Sequence, residues 1–327
     1  MAHIVFGLCT SHSPQLSSPV ESWPQHGEND RRNPWLFDKQ GTHLTYDQAL
    51  EMAKPEVRQA LEPGEQRKRY EVIQGAVARL QQELEAAAPD VVVIFGDDQA
   101  EIFPTDFRPA LMVYSGDAVR NMPDLFSRAP YEAGRSAGWA YGAERATIQV
   151  PAALSHHIVD CLIEDGFDVA HSTALDNDMG LGHAYGFIFG RIMNGHSRPL
   201  IPIILNTLYP PNQPTARRCY ELGRAVRRAI DSWPEDVRAA VVGSGGLSHF
   251  LIDEELDQRF LQALRAKDGG AMCSLPQTRL QSGTGEIRSW IAAAAALQGL
   301  PLVYTEYQPC YRSPAGTGMG MGFAVWK

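Results

Sequence analysis

Two uninterrupted apolar runs constrain the fold of this chain more than any other feature. Val91 to Gly96 (VVVIFG) and Leu200 to Leu205 (LIPIIL) are rich in β-branched residues and contain no charge. Such runs are typical of strands that are covered on both faces. Segments with the 3.6-residue apolar period of amphipathic helices lie before the first run, at Arg67 to Ala88, and after the second, at Thr215 to Trp233. This alternation predicts an α/β fold: a single domain over residues 1–327 with a central mixed sheet flanked by helices.

One long segment departs from this alternation. Residues from about 17 to 66 are rich in proline, tryptophan and charge, and they include His43. We predict an irregular insertion with one short helix near Tyr46 to Met52. A segment this long without regular structure usually forms a lid or a contact surface in a compact protein.

The stretch from Val241 to Asp257, VVGSGGLSHFLIDEELD, predicts a strand, a glycine-rich turn and a helix. His249 lies in the turn, Asp253 is a candidate helix N-cap, and Glu255 lies in the first turn of the helix. Ligands of open α/β sheets bind outside the carboxyl ends of the strands. The stretch therefore predicts an imidazole and a carboxylate at a binding site. The alternative is an ordinary strand-to-helix turn, whose acidic residues merely favour the helix dipole.

Three polar clusters directly follow predicted strands. They are His12, the run Asp97-Asp98-Gln99, and His249 with Glu255. If the strands are adjacent and parallel, these clusters converge on one edge of the sheet. Histidines and a carboxylate are the ligands of non-haem Fe(II) in a facial arrangement with open positions. The alternative is that His12 and the aspartates simply occupy turns.

Composition excludes several classes of protein. The 29 basic and 38 acidic residues give a net charge of −9 with no basic stripe, so neither nucleic acid nor a membrane is expected as a partner. Five scattered cysteines, without a CxxC pair, favour reduced thiols and a cytoplasmic location. No apolar run is long enough to span a membrane, and the first residues do not resemble a signal peptide. The GSGG turn does not match a nucleotide-binding motif, and GxSxG is absent.

Three segments together resemble a known enzyme family. They are the turn TSHSPQL, which contains His12, the segment LYPPNQPTARRCYELGRAVRRAIDSWPEDVRAAVVGSGGLSHFL, and the run IDEELDQRFLQAL. These resemble the class III, or LigB-type, extradiol ring-cleaving dioxygenases. The resemblance covers the first strand and most of the chain from about Pro89 onward, and it covers the insertion poorly.

The resemblance implies roles for individual residues. His12 matches the first iron-binding histidine, and Glu255 matches the iron-binding glutamate. His249 matches a histidine outside the metal shell that acts as acid and base. The family further implies an Fe(II) cofactor, a small aromatic diol as substrate, O₂ as co-substrate, and cleavage of the ring bond beside the diol.

Two positions depart from the family pattern. Gln99 stands where the family has its second iron-binding histidine, so Gln99, Asp98 or a histidine such as His43 would complete the metal site. The family also has an active-site His-Gly where this chain has Met179-Gly180. We expect His183, one turn later, to substitute as a catalytic residue; the alternative is a histidine at an ordinary helix start.

The sequence therefore predicts an Fe(II)-dependent extradiol dioxygenase that acts on a catecholic phenolic acid. Two alternatives remain open: a metal-dependent hydrolase or lyase on the same scaffold, and a non-catalytic binding relative. O₂ dependence separates the dioxygenase from the hydrolase or lyase, and metal content separates both from the binding protein. The resemblance also implies a homo-oligomer or a small helical partner subunit.

Overall fold

The computed structural model of the protein describes residues 1–103, 107–123, 137–140, 142, 144–175 and 180–327. The strands of the described residues are β1 (His3–Thr10), β2 (Val91–Asp97), β3 (Leu111–Tyr114), β4 (Ala118–Asn121), β5 (Ala146–Gln149), β6 (Ala170–Ser172), β7 (Leu200–Leu205), β8 (Arg238–Ser244), β9 (Leu302–Tyr311) and β10 (Gly318–Trp326). Eight of them form one sheet in the order β6-β3-β7-β2-β8-β1-β10-β9, and β4 pairs with β5 in a separate ribbon.

The large sheet is mixed, as the sequence predicts. Strands β7, β2, β8 and β1 are neighbours and run parallel. Strand β3 is antiparallel to β7, and β10 is antiparallel to β1. The four parallel strands end at the same edge of the sheet. This confirms the predicted fold class and places the segments after β1, β2 and β8 together.

Helices cover both faces of the sheet. Those of the described residues are α1 (Pro14–Ser17), α2 (Trp23–Asn29), α3 (Tyr46–Met52), α4 (Glu56–Ala60), α5 (Pro63–Ala87), α6 (Ala152–Glu164), α7 (His183–Phe187), α8 (Ala216–Ser232), α9 (Glu254–Arg265), α10 (Gly269–Cys273) and α11 (Ile287–Ala296). One apolar core contains buried residues of α6, α8, α9 and α11, and the other contains buried residues of α5 and α7. Alternate residues of β2 belong to opposite cores, which explains its continuous apolar run.

The insertion is more regular than the sequence predicts. Helix α3 has the predicted bounds, but α1, α2 and α4 also lie in or beside this segment, and α5 begins at Pro63 instead of Arg67. Helix α3 starts with a capping box, in which Thr45 and Gln48 each bond the other's backbone N–H. The other helices are too short for a periodic apolar pattern to reveal them.

The last strand contains a run of alternating glycine and methionine. This run is part of β10, whose Gly318 pairs with Tyr311 of β9. Glycine weakens strand propensity, but here Gly320 and Gly322 pack closely against Asp257 and Leu247, where a Cβ would collide.

The segment that contains His183 forms two kinds of helix. Helix α7 is α-helical, and Ile188–Ile192 continues it as a π-helix. Residues 176–179, which precede α7 and include Met179, lie outside the described residues. Within the described ranges, every helix is too short or too polar to cross a bilayer.

Candidate metal centre

Four buried side chains meet at the carboxyl edge of the parallel strands. His12, Asp97, His183 and Glu286 each offer one nitrogen or oxygen atom, and these atoms lie within 4.8 Å of one another. Nε2 of His12 is 3.0 Å from Nε2 of His183, 3.3 Å from Oε2 of Glu286 and 3.9 Å from Oδ1 of Asp97. Two imidazoles and two carboxylates in contact form a candidate site for a divalent cation.

The sheet positions two of these side chains directly. His12 follows β1 by two residues, and Asp97 is the last residue of β2. Strand β8 lies between these strands, and its Ser244 pairs with Thr10. Glu286 and His183 come from the segments just before α11 and at the start of α7. The site thus depends on the parallel register and on two flanking helices.

Hydrogen bonds at Nδ1 fix the orientation of His12 and His183. Oγ of Ser244 donates to the carbonyl of Ala184 at 2.7 Å, so it accepts from Nδ1 of His12 at 3.1 Å. Nδ1 of His183 donates to Oε2 of Glu101 at 2.6 Å. In the neutral rings, both Nε2 atoms therefore carry a lone pair. Histidine ligands of metals are usually oriented in this way, by an acceptor at the other ring nitrogen.

The donor set fits a cation. Two facing lone pairs 3.0 Å apart require a proton or a cation between them. Two ligand atoms that are each about 2.1 Å from one ion, at a right angle, lie about 3 Å apart. Oδ1 of Asp97 is buried and has no hydrogen-bond partner among the described residues. A buried oxygen without a donor is costly, and a bound cation would satisfy it.

Charges dominate the protonation of this site. Burial alone would lower the pKa of His183, but the charges of Glu101, Asp97 and Glu286 raise it to about 10. Burial and the charge of Glu286 raise the pKa of Asp97. Burial opposes ionisation of Glu286 as well, yet the neighbouring His249 and His12 lower its pKa well below the usual value. The carboxylates and the imidazoles of the group therefore stabilise each other's charges.

His249 lies beside the group and contacts one of its members. Its Nε2 is 3.0 Å from Oε1 of Glu286, and its Nδ1 is 2.8 Å from the carbonyl of Leu247. Both partners accept, so the hydrogen bonds favour the doubly protonated ring. Burial lowers the pKa of His249, but the charge of Glu286 outweighs it and the pKa is raised. His249 therefore holds a proton at the edge of the group.

The glycines of the GSGG turn allow close packing around these side chains. A Cβ at Gly245 would collide with Glu286, and one at Gly246 would collide with the ring of His249. Gly283 packs against the opposite part of the same ring. The N–H of Gly246 donates to Oε2 of Glu286 at 2.5 Å. The motif therefore serves close approach of side chains and not phosphate binding.

Gln99 lies next to the group. Its Nε2 donates to Oδ2 of Asp97 at 3.2 Å and to Oε1 of Glu286 at 2.9 Å. It thereby bonds two carboxylates of the group, and Asp97, two residues earlier, is the member that β2 supplies. Asp98 accepts three backbone N–H groups from the residues that follow it, which is the turn role considered in the sequence.

The structure corrects the expectation for Glu255. Its side chain is 68% exposed and bonds to Lys39 and Arg279, so it does not belong to the buried group. Glu286 supplies the carboxylate instead. The sequence contained one signal for it: an acidic residue directly before an Ala-rich helix, after a glycine-rich turn. His43 is also outside the group, because its Nε2 bonds the carbonyl of Pro34 within the insertion.

His183 is closer to the centre than expected. The sequence predicts a catalytic role for it outside the metal shell, whereas its ring faces His12 within the group. Met179, which the family pattern aligned with an active-site histidine, lies outside the described residues.

Comparison with known proteins identifies the family of this chain. Residues 54–321 match the family model described as the catalytic LigB subunit of aromatic ring-opening dioxygenase. This segment contains Asp97, His183, His249 and Glu286, and it does not include His12. The match thus covers most of the sheet and three of the four side chains of the group.

Individual relatives match shorter parts of the chain. The gallate dioxygenase of Pseudomonas putida is 39% identical over 123 residues, which are 35% of each chain. The 2,3-dihydroxyphenylpropionate/2,3-dihydroxicinnamic acid 1,2-dioxygenase of a Mycobacterium species is 35% identical over 158 residues, 46% of this chain and 47% of the relative. The enzyme of that name from Mycolicibacterium paratuberculosis is 32% identical over 189 residues, 57% of this chain and 52% of the relative. The chain thus spans about half the length of these relatives, or less.

Proposed function

This chain belongs to the LigB family of catalytic subunits of aromatic ring-opening dioxygenases, and we propose that it cleaves the ring of a catecholic acid beside its diol, using Fe(II) and O₂. The observation that carries the proposal is the buried contact of His12, Asp97, His183 and Glu286. Both oxygen atoms of O₂ enter the product, so the reaction needs no further reductant. The names of the matched relatives support an aromatic diol as the substrate.

We assign the metal to this group. His12, His183 and Glu286 would hold the ion with Nε2, Nε2 and Oε2, and Oδ1 of Asp97 would complete or support the set. Bound Fe(II) would supply open positions for the diol and for O₂. Glu101 and Ser244 keep the histidine lone pairs directed at the ion, and Gln99 holds the two carboxylates in place.

His249 is the proposed acid and base. A bound aromatic diol must lose a proton, and a group near the site must accept it and later return one. Nε2 of His249 lies at the edge of the group, and its proton is held by Oε1 of Glu286. When Glu286 binds a cation, its hold on that proton weakens, because the carboxylate charge is shared. His249 would then exchange a proton with the substrate near neutral pH.

Oxygen uptake tests the proposal. The protein is loaded with Fe(II) without oxygen and then mixed with aerated gallate, 2,3-dihydroxyphenylpropionate or catechol. We expect one O₂ consumed for each ring-opened product, because both oxygen atoms are incorporated. Hydroquinone, whose hydroxyls are not adjacent, is the matched control and should give no uptake.

Two results would contradict the proposal. Bound iron without uptake on any adjacent diol would favour hydrolysis or a lyase reaction at the same metal. No bound iron or other divalent metal would favour a non-catalytic binding relative. A homo-oligomer or a helical partner subunit remains a proposal, which the size of the purified complex in solution would test.

A further inference from the structure

Arg108 is a cation near the candidate site that has no acidic partner among the described residues. Its Nε and Nη2 are buried and have no hydrogen-bond partner among the described residues. Its guanidinium carbon lies 3.4 Å from the ring centroid of Tyr209. Such stacking holds the plane of the guanidinium but leaves its N–H groups available at the edge. Buried arginine nitrogens normally have a partner, so these donors point to a ligand.

The sheet places Arg108 at the same edge as the metal centre. Leu205 pairs with Asp97 of β2 and with Leu111 of β3. Neighbouring strands are about 4.8 Å apart, so the backbones of these two residues are about 10 Å apart. Because β3 runs antiparallel to β7, Arg108 precedes β3 at the edge where β2 ends. Arg108 therefore lies at the edge of the sheet that also carries the metal centre.

A series of side-chain and backbone contacts connects Arg108 to His249. The ring of Trp35 packs edge-on against Tyr209, with centroids 5.7 Å apart. The carbonyl of Trp35 accepts from Oγ of Ser282 at 2.8 Å, and the next residue, Gly283, packs on the ring of His249.

Asparagine side chains hold the segment of Arg108 in place. The carbonyl of Arg108 accepts from Nδ2 of Asn212 at 2.8 Å, and Oδ1 of Asn212 accepts from Asn206 at 2.6 Å. Asn206 directly follows β7, and its side chain also bonds both backbone groups of Tyr209. The arginine and its stacking partner are therefore fixed relative to the sheet.

Other arginines near this edge are already occupied. Arg312, which directly follows β9, pairs with Asp30 at 2.6 Å. Arg279 pairs with Asp253 and Glu255. Arg288 is fully buried, and its guanidinium donates to four backbone carbonyls. Arg108 differs from these because its guanidinium makes no hydrogen bond or ion pair with the described residues.

We propose that Arg108 binds the carboxylate of the aromatic substrate and so selects anionic diols over neutral ones. This inference rests on the proposed ring cleavage and adds the residue that recognises the acid. Asp97, Asp98, Glu101 and Glu286 lie in or beside the site, and the guanidinium would offset their repulsion of an anionic substrate. A guanidinium offers two parallel N–H groups, which match a carboxylate.

Binding without oxygen tests the inference separately from catalysis. Calorimetry on the Fe(II)-loaded protein under argon would compare gallate and 2,3-dihydroxyphenylpropionate with their methyl esters, which have the same ring but no charge. Arg108→Met keeps an apolar chain over Tyr209 and removes the charge. We expect it to weaken binding of the acids about 10- to 100-fold, the usual contribution of a charged hydrogen bond, and to leave the esters unchanged.

Two further variants separate charge from packing. Arg108→Lys retains the charge and should keep part of the preference for acids. Arg218 stacks on Phe167 at 3.6 Å outside the candidate site. Arg218→Met is therefore the matched control and should change the affinity for neither the acids nor the esters. If Arg108→Met weakened the binding of acids and esters equally, or weakened neither, the inference would be overturned.

Oxygen uptake keeps the two proposals distinct. If the wild type consumes O₂ and Arg108→Met still prefers acids to the same degree, only the role of Arg108 is overturned. Loss of acid binding in that variant, without uptake by the wild type, would support the anion site and overturn the ring cleavage.

Discussion

Glu286 and His249 are joined by a hydrogen bond of 3.0 Å between Oε1 and Nε2. The other oxygen of the same carboxylate lies 3.3 Å from Nε2 of His12. One side chain therefore contacts both the candidate metal ligands and the candidate proton carrier. The charge at the metal and the proton on His249 are coupled through it.

Replacing Glu286 tests the assignment of the carboxylate ligand. Glu286→Gln keeps the shape but removes the charge, so we expect Fe(II) affinity to fall at least about 10-fold. Glu255→Gln is the matched control, because that carboxylate is exposed and bonded to Lys39 and Arg279. Titration with a coloured chelator measures both affinities. Weaker metal binding in Glu255→Gln alone would restore the assignment that the sequence predicted.

Replacing His249 tests the proton-transfer role. His249→Phe should retain bound Fe(II) and lower turnover on the order of 100-fold or more, the usual contribution of a general acid–base group. His43→Phe is the control, since His43 bonds only the carbonyl of Pro34 in the insertion. Iron content and O₂ uptake are measured on the same samples. Loss of iron from His249→Phe would make His249 a metal ligand.

Replacing Glu101 tests how His183 is oriented. Glu101 accepts from both Nδ1 and the backbone N–H of His183, at 2.6 and 3.0 Å. Glu101→Gln should weaken Fe(II) binding about 10- to 100-fold, as changes beside metal-bound histidines usually do. The control is Glu85→Gln, whose carboxylate pairs with Arg198 at the surface. Unchanged affinity in Glu101→Gln would show that His183 does not hold the ion.

Asp257 should make stability depend on pH. Burial raises its pKa to about 7 despite hydrogen bonds from Ser248 and Tyr307. Between its ordinary pKa of 3.8 and about 7, the folded protein keeps the proton while the unfolded chain loses it. Its contribution to stability is thus fully present at low pH and is lost as pH rises through about 7. From about pH 5 to about pH 8, this loss is about 3 kcal/mol, since one pKa unit corresponds to about 1.4 kcal/mol.

Asp257→Asn cannot titrate, so its free energy of unfolding should fall less over the same range. Urea unfolding of both proteins at the two pH values, with a chelator present, measures the difference. Equal declines in the wild type and the variant would show that Asp257 is ionised in the folded protein throughout.

Much of the fold could be predicted because the sequence patterns that indicate it each lie within a single short segment. The apolar runs of β2 and β7 and the periodic faces of α5 and α8 each lie within one segment. The short helices of the insertion carry too few residues to show a period. The length of β10 is difficult to predict because glycine is rare in strands. The close packing that requires glycine here is not visible in the sequence.

The candidate site was only partly predictable for a related reason. His12, His249 and the run after β2 follow strands, so their placement could be inferred from the parallel sheet. The resemblance matched Glu255, which is near His249 in the sequence, to the iron-binding glutamate. Glu286 contacts His249 although the two residues are 37 positions apart in the sequence, and no local sequence pattern predicts such a contact.

The order of the sheet has a consequence for how this protein is made. Strand β1 lies between β8 and β10, so both neighbours of the first strand come from the last third of the chain. Contacts of such large sequence separation form slowly. During synthesis, His12 must therefore wait for Ser244 and Glu286 to emerge before it has its partners. Until then β1 presents an unpaired strand edge, to which a chaperone could bind.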